Sequence, residues 1–293
     1  MTGQARAVDR QSPALELSET IEGSALSSGS GFSARGFRER QFDGLMDPLI
    51  MVDHFVMTEP TFGPHPHAGM SAVSLLFEDS EGRFHNRDSL GNNLDLLPGD
   101  LYWLKAASGV VHDEKPRPGA RTHGLQFFVN LPARHKNDEP AALHVPAARM
   151  PVLEGEGYRL RVVLGEFDGV VGARPPALPL NLVEGRLSAG ATKDHSLHSG
   201  QSLWVYAVTG TLTLTVGGLS RTLSEGESLA LLNTSPQALP LAIQADLDTH
   251  VVLIEAEPLR ECFVQKGPFV MSSLEDLARA NRDYANGLMG ELQ

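Results

Sequence analysis

The chain is poor in cysteine and in long apolar runs. Cys262 is the only cysteine among 293 residues, which excludes an internal disulfide, a cysteine-based zinc site and an iron–sulfur cluster. No apolar run approaches the ~20 residues that span a bilayer, and the first ten residues lack the apolar core of an export signal. The sequence therefore predicts a cytoplasmic protein with no membrane partner.

Basic residues are also scarce. The chain has 24 Lys and Arg against 36 Asp and Glu, which gives a formal net charge of −12. A surface that binds nucleic acid needs clustered Lys and Arg to displace counterions, so we expect no direct nucleic-acid binding. Residues classed as hydrophobic make up 41% of the chain, enough for the core of one large domain or two ordinary ones.

The sequence pattern is typical of short strands. Residues 1–30 are polar and are expected to form a flexible segment, whereas from about Phe32 short apolar runs alternate with Gly, Pro, Asn and Asp. The runs lie at residues 49–52, 73–77, 94–97, 101–104, 125–131, 158–164, 203–208, 212–216, 228–232 and 249–254. Residues 132–151 are rich in Pro, Ala and charge and are interpreted as a linker.

The two halves of the chain have a similar pattern. The order of strands and glycines in the first half is repeated in the second, which indicates a duplicated unit and two antiparallel β-sandwiches or barrels.

A helix is predicted near the C-terminus. Residues 272–275 have the spacing of a helix capping box, and Gly287 is placed to end the helix. Its apolar stripe is expected to pack on a barrel; it comprises Leu274, Leu277, Ala278, Ala285 and Leu288.

Histidine is concentrated in the first half, where eight of the eleven fall between His54 and His144. His65 and His67 are two residues apart, as are His112 and Glu114. Side chains two residues apart on a strand point to the same side of a sheet. If the two strands meet inside a barrel, three imidazoles and one carboxylate converge, a set suited to a divalent ion such as Fe(II). His54 is instead expected to be a packing or surface residue.

Several motifs together resemble the pirin family of the cupin superfamily. The resemblance extends over about residues 30–290 and is carried by motifs in the family's order: DPLIMVD at 47–53, PHPHAG at 64–69, RDSLGN at 87–92, PGD at 98–100, GVVHDE at 109–114, HGLQ at 123–126, VNLP at 129–132 and GPFVM at 267–271.

The resemblance implies an all-β bicupin, with two jelly-roll β-barrels and a C-terminal helix. We assign residues 31–145 to a metal-binding cupin, 150–260 to a metal-free cupin and 261–293 to a C-terminal segment with the helix. The family's metal ligands fall on His65, His67, His112 and Glu114. Iron is its usual metal, and Cu, Ni, Mn and Zn are the alternatives.

The family offers more than one function. Bacterial members are associated with quercetin 2,3-dioxygenase activity, which implies a flavonol-like substrate and dioxygen, with Glu114 as the base that takes the substrate's proton. Val73, Leu75, Trp103, Phe127 and Val129 are expected to supply apolar walls. Animal members are associated with nuclear, iron-dependent regulation of transcription factors, so a metal- or redox-responsive protein that binds a protein partner is the alternative, as is a cupin that has lost catalysis.

The sequence departs from the family at two positions and in the second barrel. The family usually has Arg where this chain has Ala68 and Glu where it has Ser71, and both positions are expected to lie beside the metal. In the second half, His195 and His198 precede the first strong strand, but no His-x-Glu pair follows residues 228–232. We therefore expect no metal in the second barrel.

Overall fold

A computed structural model describes residues 9–12 and 14–292. Three short strands come first: β1 (Asp9–Ser12), β2 (Leu15–Leu17) and β3 (Ile21–Glu22). The first barrel follows with β4 (Ser24–Ser28), β5 (Phe32–Arg38), β6 (Leu49–Met57), β7 (His65–His67), β8 (Met70–Leu76), β9 (Phe84–Asp88), β10 (Asn93–Leu96), β11 (Leu101–Lys105), β12 (Val110–Pro116), β13 (Thr122–Asn130) and β14 (Ala141–Val145). Short 3₁₀ turns occupy Glu39–Gln41, Ala133–His135 and Ala147–Arg149.

The second barrel contains the next twelve strands: β15 (Val152–Gly155), β16 (Tyr158–Leu164), β17 (Glu166–Phe167), β18 (Val170–Val171), β19 (Asn181–Leu187), β20 (Thr192–Leu197), β21 (Ser202–Thr209), β22 (Thr211–Val216), β23 (Leu219–Ser224), β24 (Glu227–Asn233), β25 (Leu239–Ala245) and β26 (Thr249–Ala256). A hairpin of β27 (Val264–Lys266) and β28 (Phe269–Met271) then leads into helix α1 (Leu274–Ala285).

Sheet order confirms the two-barrel, all-β prediction and the duplication. The first barrel pairs a seven-stranded sheet, β14-β11-β8-β13-β6-β5-β4, with a four-stranded sheet, β10-β9-β12-β7. The second repeats the small sheet as β23-β22-β25-β20 and the centre of the large one as β24-β21-β26-β19-β16. Neighbouring strands in these sheets run antiparallel, as in a jelly roll.

The N-terminal segment differs from the flexible chain expected over residues 1–30. Residues 1–8 and 13 lie outside the described residues, but β2 and β3 pair with β24 of the second barrel, and β4 pairs with β5 of the first. Leu15 and Leu17 are buried in the core of the second barrel. Their two-residue spacing points both side chains into one core, which stabilises the extended conformation.

The two barrels pack through their large sheets. One apolar cluster contains side chains of both, with Val73, Trp103 and Phe127 from the first barrel beside Trp204 and Tyr206 from the second. The expected linker at residues 132–151 contains an ordered strand, because β14 pairs with β11 at the edge of the first barrel's large sheet.

The C-terminal helix packs on the first barrel, but the predicted apolar stripe was wrong at four of its five residues, since Leu274, Ala278, Ala285 and Leu288 are exposed. Its N-cap is Ser273, whose hydroxyl accepts a hydrogen bond from the Asp276 amide at 3.1 Å; the predicted box began at residue 272. Leu277 and Ala280 are buried, whereas Leu274 is exposed. Of the described residues, no helix has the length and apolar character needed to cross a membrane; the cytoplasmic location stays a prediction.

Candidate metal centre

The pairing of β7 with β12 brings three of the predicted histidines together. His65 lies opposite His112 and His67 lies opposite Val110 in this antiparallel pair. The Nε2 atom of His112 is 2.9 Å from Nε2 of His67 and 3.0 Å from Nε2 of His65. Among the described residues, these three form the one group of three or more metal-capable side chains whose ligand atoms all lie within 4.8 Å of one another.

Burial favours the neutral form of two of these imidazoles, those of His67 and His112. His67 and His112 are buried and His65 is half-buried. Burial, reinforced by the neighbouring His65, lowers the pKa of His67 to about 3, and burial together with both neighbours holds the pKa of His112 well below its usual value. Each neutral ring has a nitrogen lone pair, and Nδ1 of His112 is buried without a hydrogen-bond partner. A divalent ion among the three Nε2 atoms fits this donor set.

Glu114 lies on the same strand but is held by other partners. The Ser74 hydroxyl lies 2.9 and 3.0 Å from its two carboxylate oxygens, and the Gln126 amide donates to Oε2 at 3.0 Å. Burial, aided by the charge of Asp113 and opposed by these hydrogen bonds, raises the pKa of Glu114 to about 7. Glu114 does not belong to the close group of three histidines, so its role as fourth ligand stays a prediction.

A cavity of about 280 Å³ lies beside this centre. His65, Glu114, Gln126 and Asp53 give it a polar side. Its apolar side comes from Leu26, Phe32, Phe55, Met57, Phe62 and Phe84. Aromatic walls with a few convergent polar groups are typical of sites for small organic molecules.

The predicted walls were wrong. Val73, Leu75, Trp103, Phe127 and Val129 all belong to the apolar cluster between the two barrels. The residues that face the centre alternate with them: Ser74 lies between Val73 and Leu75 on β8, and Gln126 precedes Phe127 on β13. Polar residues inside apolar strand runs were the signal that could have identified both.

The two departures from the family do not lie where the sequence suggested. Ala68 is buried in a cluster with Phe269, Met271 and Leu277 of the C-terminal segment. Ser71 is two residues before Val73 on β8, the residue that faces the second barrel. Both positions therefore face away from the three histidines, so neither substitution removes a charge from the cavity.

Of the two histidines singled out in the second half of the sequence, His195 and His198, only His195 lies at the place in the second barrel that corresponds to the metal centre. His195 lies opposite Leu241 in the β20–β25 pair, as His65 lies opposite His112. Its Nδ1 is 2.9 Å from Asp168 and its Nε2 is 3.2 Å from Glu255. Burial lowers the pKa of His195, but the two carboxylates outweigh it and raise the pKa overall. His198 is exposed.

Comparison with known proteins agrees with this architecture. The Pirin family profile matches residues 32–129, and the profile of the Pirin C-terminal cupin domain matches residues 182–290. Pirin from Homo sapiens is 31% identical over 257 residues, which cover 84% of this chain and 83% of that protein.

Two solved structures extend the comparison. A crystal structure of quercetin 2,3-dioxygenase from Acinetobacter baumannii matches with a TM-score of 0.81 and 25% identity, over 94% of this chain and 98% of that one. The bacterial pirin YhhW from Escherichia coli, solved in complex with nickel(II), matches with a TM-score of 0.62 and 22% identity, over 83% of this chain and 99% of that one.

Proposed function

Because the chain belongs to the pirin family of cupin proteins, we propose that it is a metal-dependent oxidoreductase of the quercetin 2,3-dioxygenase type. Its substrates would be a flavonol-like compound and dioxygen. The observation that carries this proposal is the cluster of three imidazoles beside an aromatic cavity that also contains a buried carboxylate. The similarity to the Acinetobacter baumannii dioxygenase supports it.

The metal would be held by the first barrel alone. His65, His67 and His112 supply three ligands, and Glu114 is proposed as the fourth. Fe(II) is our first choice, with Cu, Ni, Mn and Zn as alternatives; the nickel(II) complex of YhhW supports a divalent ion. When bound, the ion supplies a Lewis acid that lowers the pKa of a coordinated hydroxyl group.

The chain's own residues bind and orient the substrate. Phe32, Phe55 and Phe84 offer aromatic surface to a planar ring system, and Phe62 stands at the half-exposed mouth of the cavity. Burial raises the pKa of Glu114 to about 7, and its carboxylate is the proposed acceptor of the substrate's hydroxyl proton. Ser74 on β8 and Gln126 on β13, both strands of the large sheet, hold that carboxylate through hydrogen bonds.

An oxygen-uptake assay with quercetin tests this function. We expect Fe(II)-loaded wild-type protein to consume quercetin and dioxygen together, and Glu114→Gln to retain the fold while kcat falls about 10²–10⁴-fold, the usual contribution of a positioned acid or base. Glu81→Gln, which alters an exposed carboxyl outside the cavity, is the control and should keep wild-type turnover.

The outcomes separate the proposal from its rivals. Consumption of neither compound by protein loaded with Fe, Cu, Ni or Mn would contradict the dioxygenase function for this substrate. Wild-type turnover by Glu114→Gln would contradict its role as base. Metal binding without turnover, combined with capture of a protein partner only in the metal-loaded form, would favour the regulatory alternative instead.

A further inference from the structure

The outer face of the small sheet that carries the histidines is covered by the C-terminal segment. This segment, residues 264–290, is called here the C-terminal strap. Ala68, next to His67, and Val111, next to His112, share one apolar cluster with Phe269, Leu277 and Met289 of the strap. His67 and His112 thus each have a sequence neighbour that packs against the strap.

A buried ammonium group joins the strap to the turn that follows His67. Lys136 is 2% exposed. Its Nζ donates to the carbonyl oxygen of Gly69 at 2.7 Å, to that of Val270 at 3.0 Å and to Oδ1 of Asn130 at 2.6 Å. An ammonium group has three donors, and three uncharged oxygens take them. Burial of the charge lowers the pKa of Lys136 to about 8.

The strap comes very close to both ligand-bearing strands, through its main chain at Gly69 and through the Met289 side chain at Gly109. The Val270 amide donates to the carbonyl oxygen of Ala68 at 3.0 Å, and a Cβ on Gly69 would lie 1.8 Å from the carbonyl oxygen of Val270. At the start of β12, a Cβ on Gly109 would lie 2.5 Å from Met289. Glycine at position 69 permits a main-chain approach that any side chain would prevent, and glycine at position 109 leaves room for the Met289 side chain.

We propose that Lys136 is a positioning residue for the metal centre. By joining Gly69 to Val270, it fixes the strap on the sheet and so sets the position of His67 relative to His112. Metal affinity depends on ligand nitrogens being held in place by the groups behind them, and loss of such support commonly costs 10–100-fold in affinity. The inference rests on the proposed metal site.

Co(II) binding to the full-length protein tests it, because the visible spectrum of Co(II) reports its coordination. The variant Lys136→Met removes the ammonium group and keeps an unbranched apolar chain of similar length. We expect its dissociation constant for Co(II), measured by competition with a chelator, to rise about 10–100-fold with an altered visible spectrum. Lys266→Met, at an exposed position of the strap, should bind within twofold of wild type.

A second variant covers the case in which Lys136→Met does not fold. Met289→Ala removes the contact with Gly109 at the other end of the strap, and we expect a smaller increase in the dissociation constant, with the same direction of spectral change. Wild-type affinity and spectrum in folded Lys136→Met, or in Met289→Ala if only that variant folds, would overturn the inference, even with a lower Tm. Absence of Co(II) binding to wild type would overturn the metal site itself.

Discussion

The two barrels share a strand order but differ at the positions where the first holds its candidate metal centre. Where β7 and β12 carry His67, His112 and Glu114, the register of β20 and β25 places Leu197, Leu241 and Ile243. These three side chains are buried in the second barrel's core. The same inward positions therefore serve either as a polar site or as ordinary core, and the side chains decide which.

The difference also shows what happens to a single remaining histidine. His65 lies in a group of imidazoles, whereas His195 lies between Asp168 and Glu255 and stacks on Phe167 at a centroid distance of 4.1 Å. Carboxylate partners favour the protonated ring, which is not a metal ligand. The second barrel thus keeps at this place a histidine whose two carboxylate partners raise its pKa and favour its protonated form.

The largest expected effect comes from His67→Ala. Removing one of three imidazoles should abolish stoichiometric metal binding after reconstitution with Fe(II), measured as metal per chain after gel filtration. The wild-type protein should gain about 2.7 kcal/mol of unfolding free energy at a metal concentration of 100 Kd, and the variant should gain none. Full metal loading of His67→Ala would contradict the assignment.

The next effect is on stability alone and concerns Leu241, which occupies the second barrel's position corresponding to His112. Leu241→Ala should lower the free energy of unfolding by about 2–5 kcal/mol, because it leaves a cavity among packed side chains. Urea unfolding measures this loss, while metal per chain should equal that of wild type. A decrease in metal content with intact secondary structure would show that metal binding by the first barrel depends on the packing of the second.

The smallest effect should come from His195→Gln, at about 1–3 kcal/mol of unfolding free energy near pH 6, since hydrogen bonds to two carboxylates are lost. Because the folded-state pKa of His195 is raised, its contribution is complete below its unfolded pKa of about 6.5 and disappears as the pH rises through the folded value. Urea unfolding from pH 6 to 9 should show the difference from wild type shrinking. The exposed His198→Gln is the control; a difference that grows with pH would contradict this account.

The sequence predicted which three histidines come together but not their surroundings. The two-residue spacing of His65 and His67, and the position of His112, were sufficient because strand geometry alone determines which side chains share a face. The prediction of the cavity walls was wrong because neighbouring residues of a strand point to opposite faces of the sheet. Ser74 points into the first barrel, whereas the adjacent Val73 points to the interface between the barrels. Both faces of β8 are buried, so hydrophobicity could not distinguish them.

Other parts of the fold depend on contacts between distant segments. Leu15 and Leu17 form a strand because β24 is available to pair with them, and a short polar segment gives little indication of a partner more than two hundred residues away. The same holds for the strap, whose contact with Gly69 is a main-chain approach. Such approaches leave no hydrophobic pattern in the sequence.

Anomalous scattering from crystals of the metal-loaded protein is the most direct test of the central claim, that one barrel binds metal and the other does not. Data recorded above and below the absorption edge of the bound metal should give one peak per chain, among the Nε2 atoms of His65, His67 and His112. A peak beside His195, or no peak among the three histidines at saturating metal, would contradict the account.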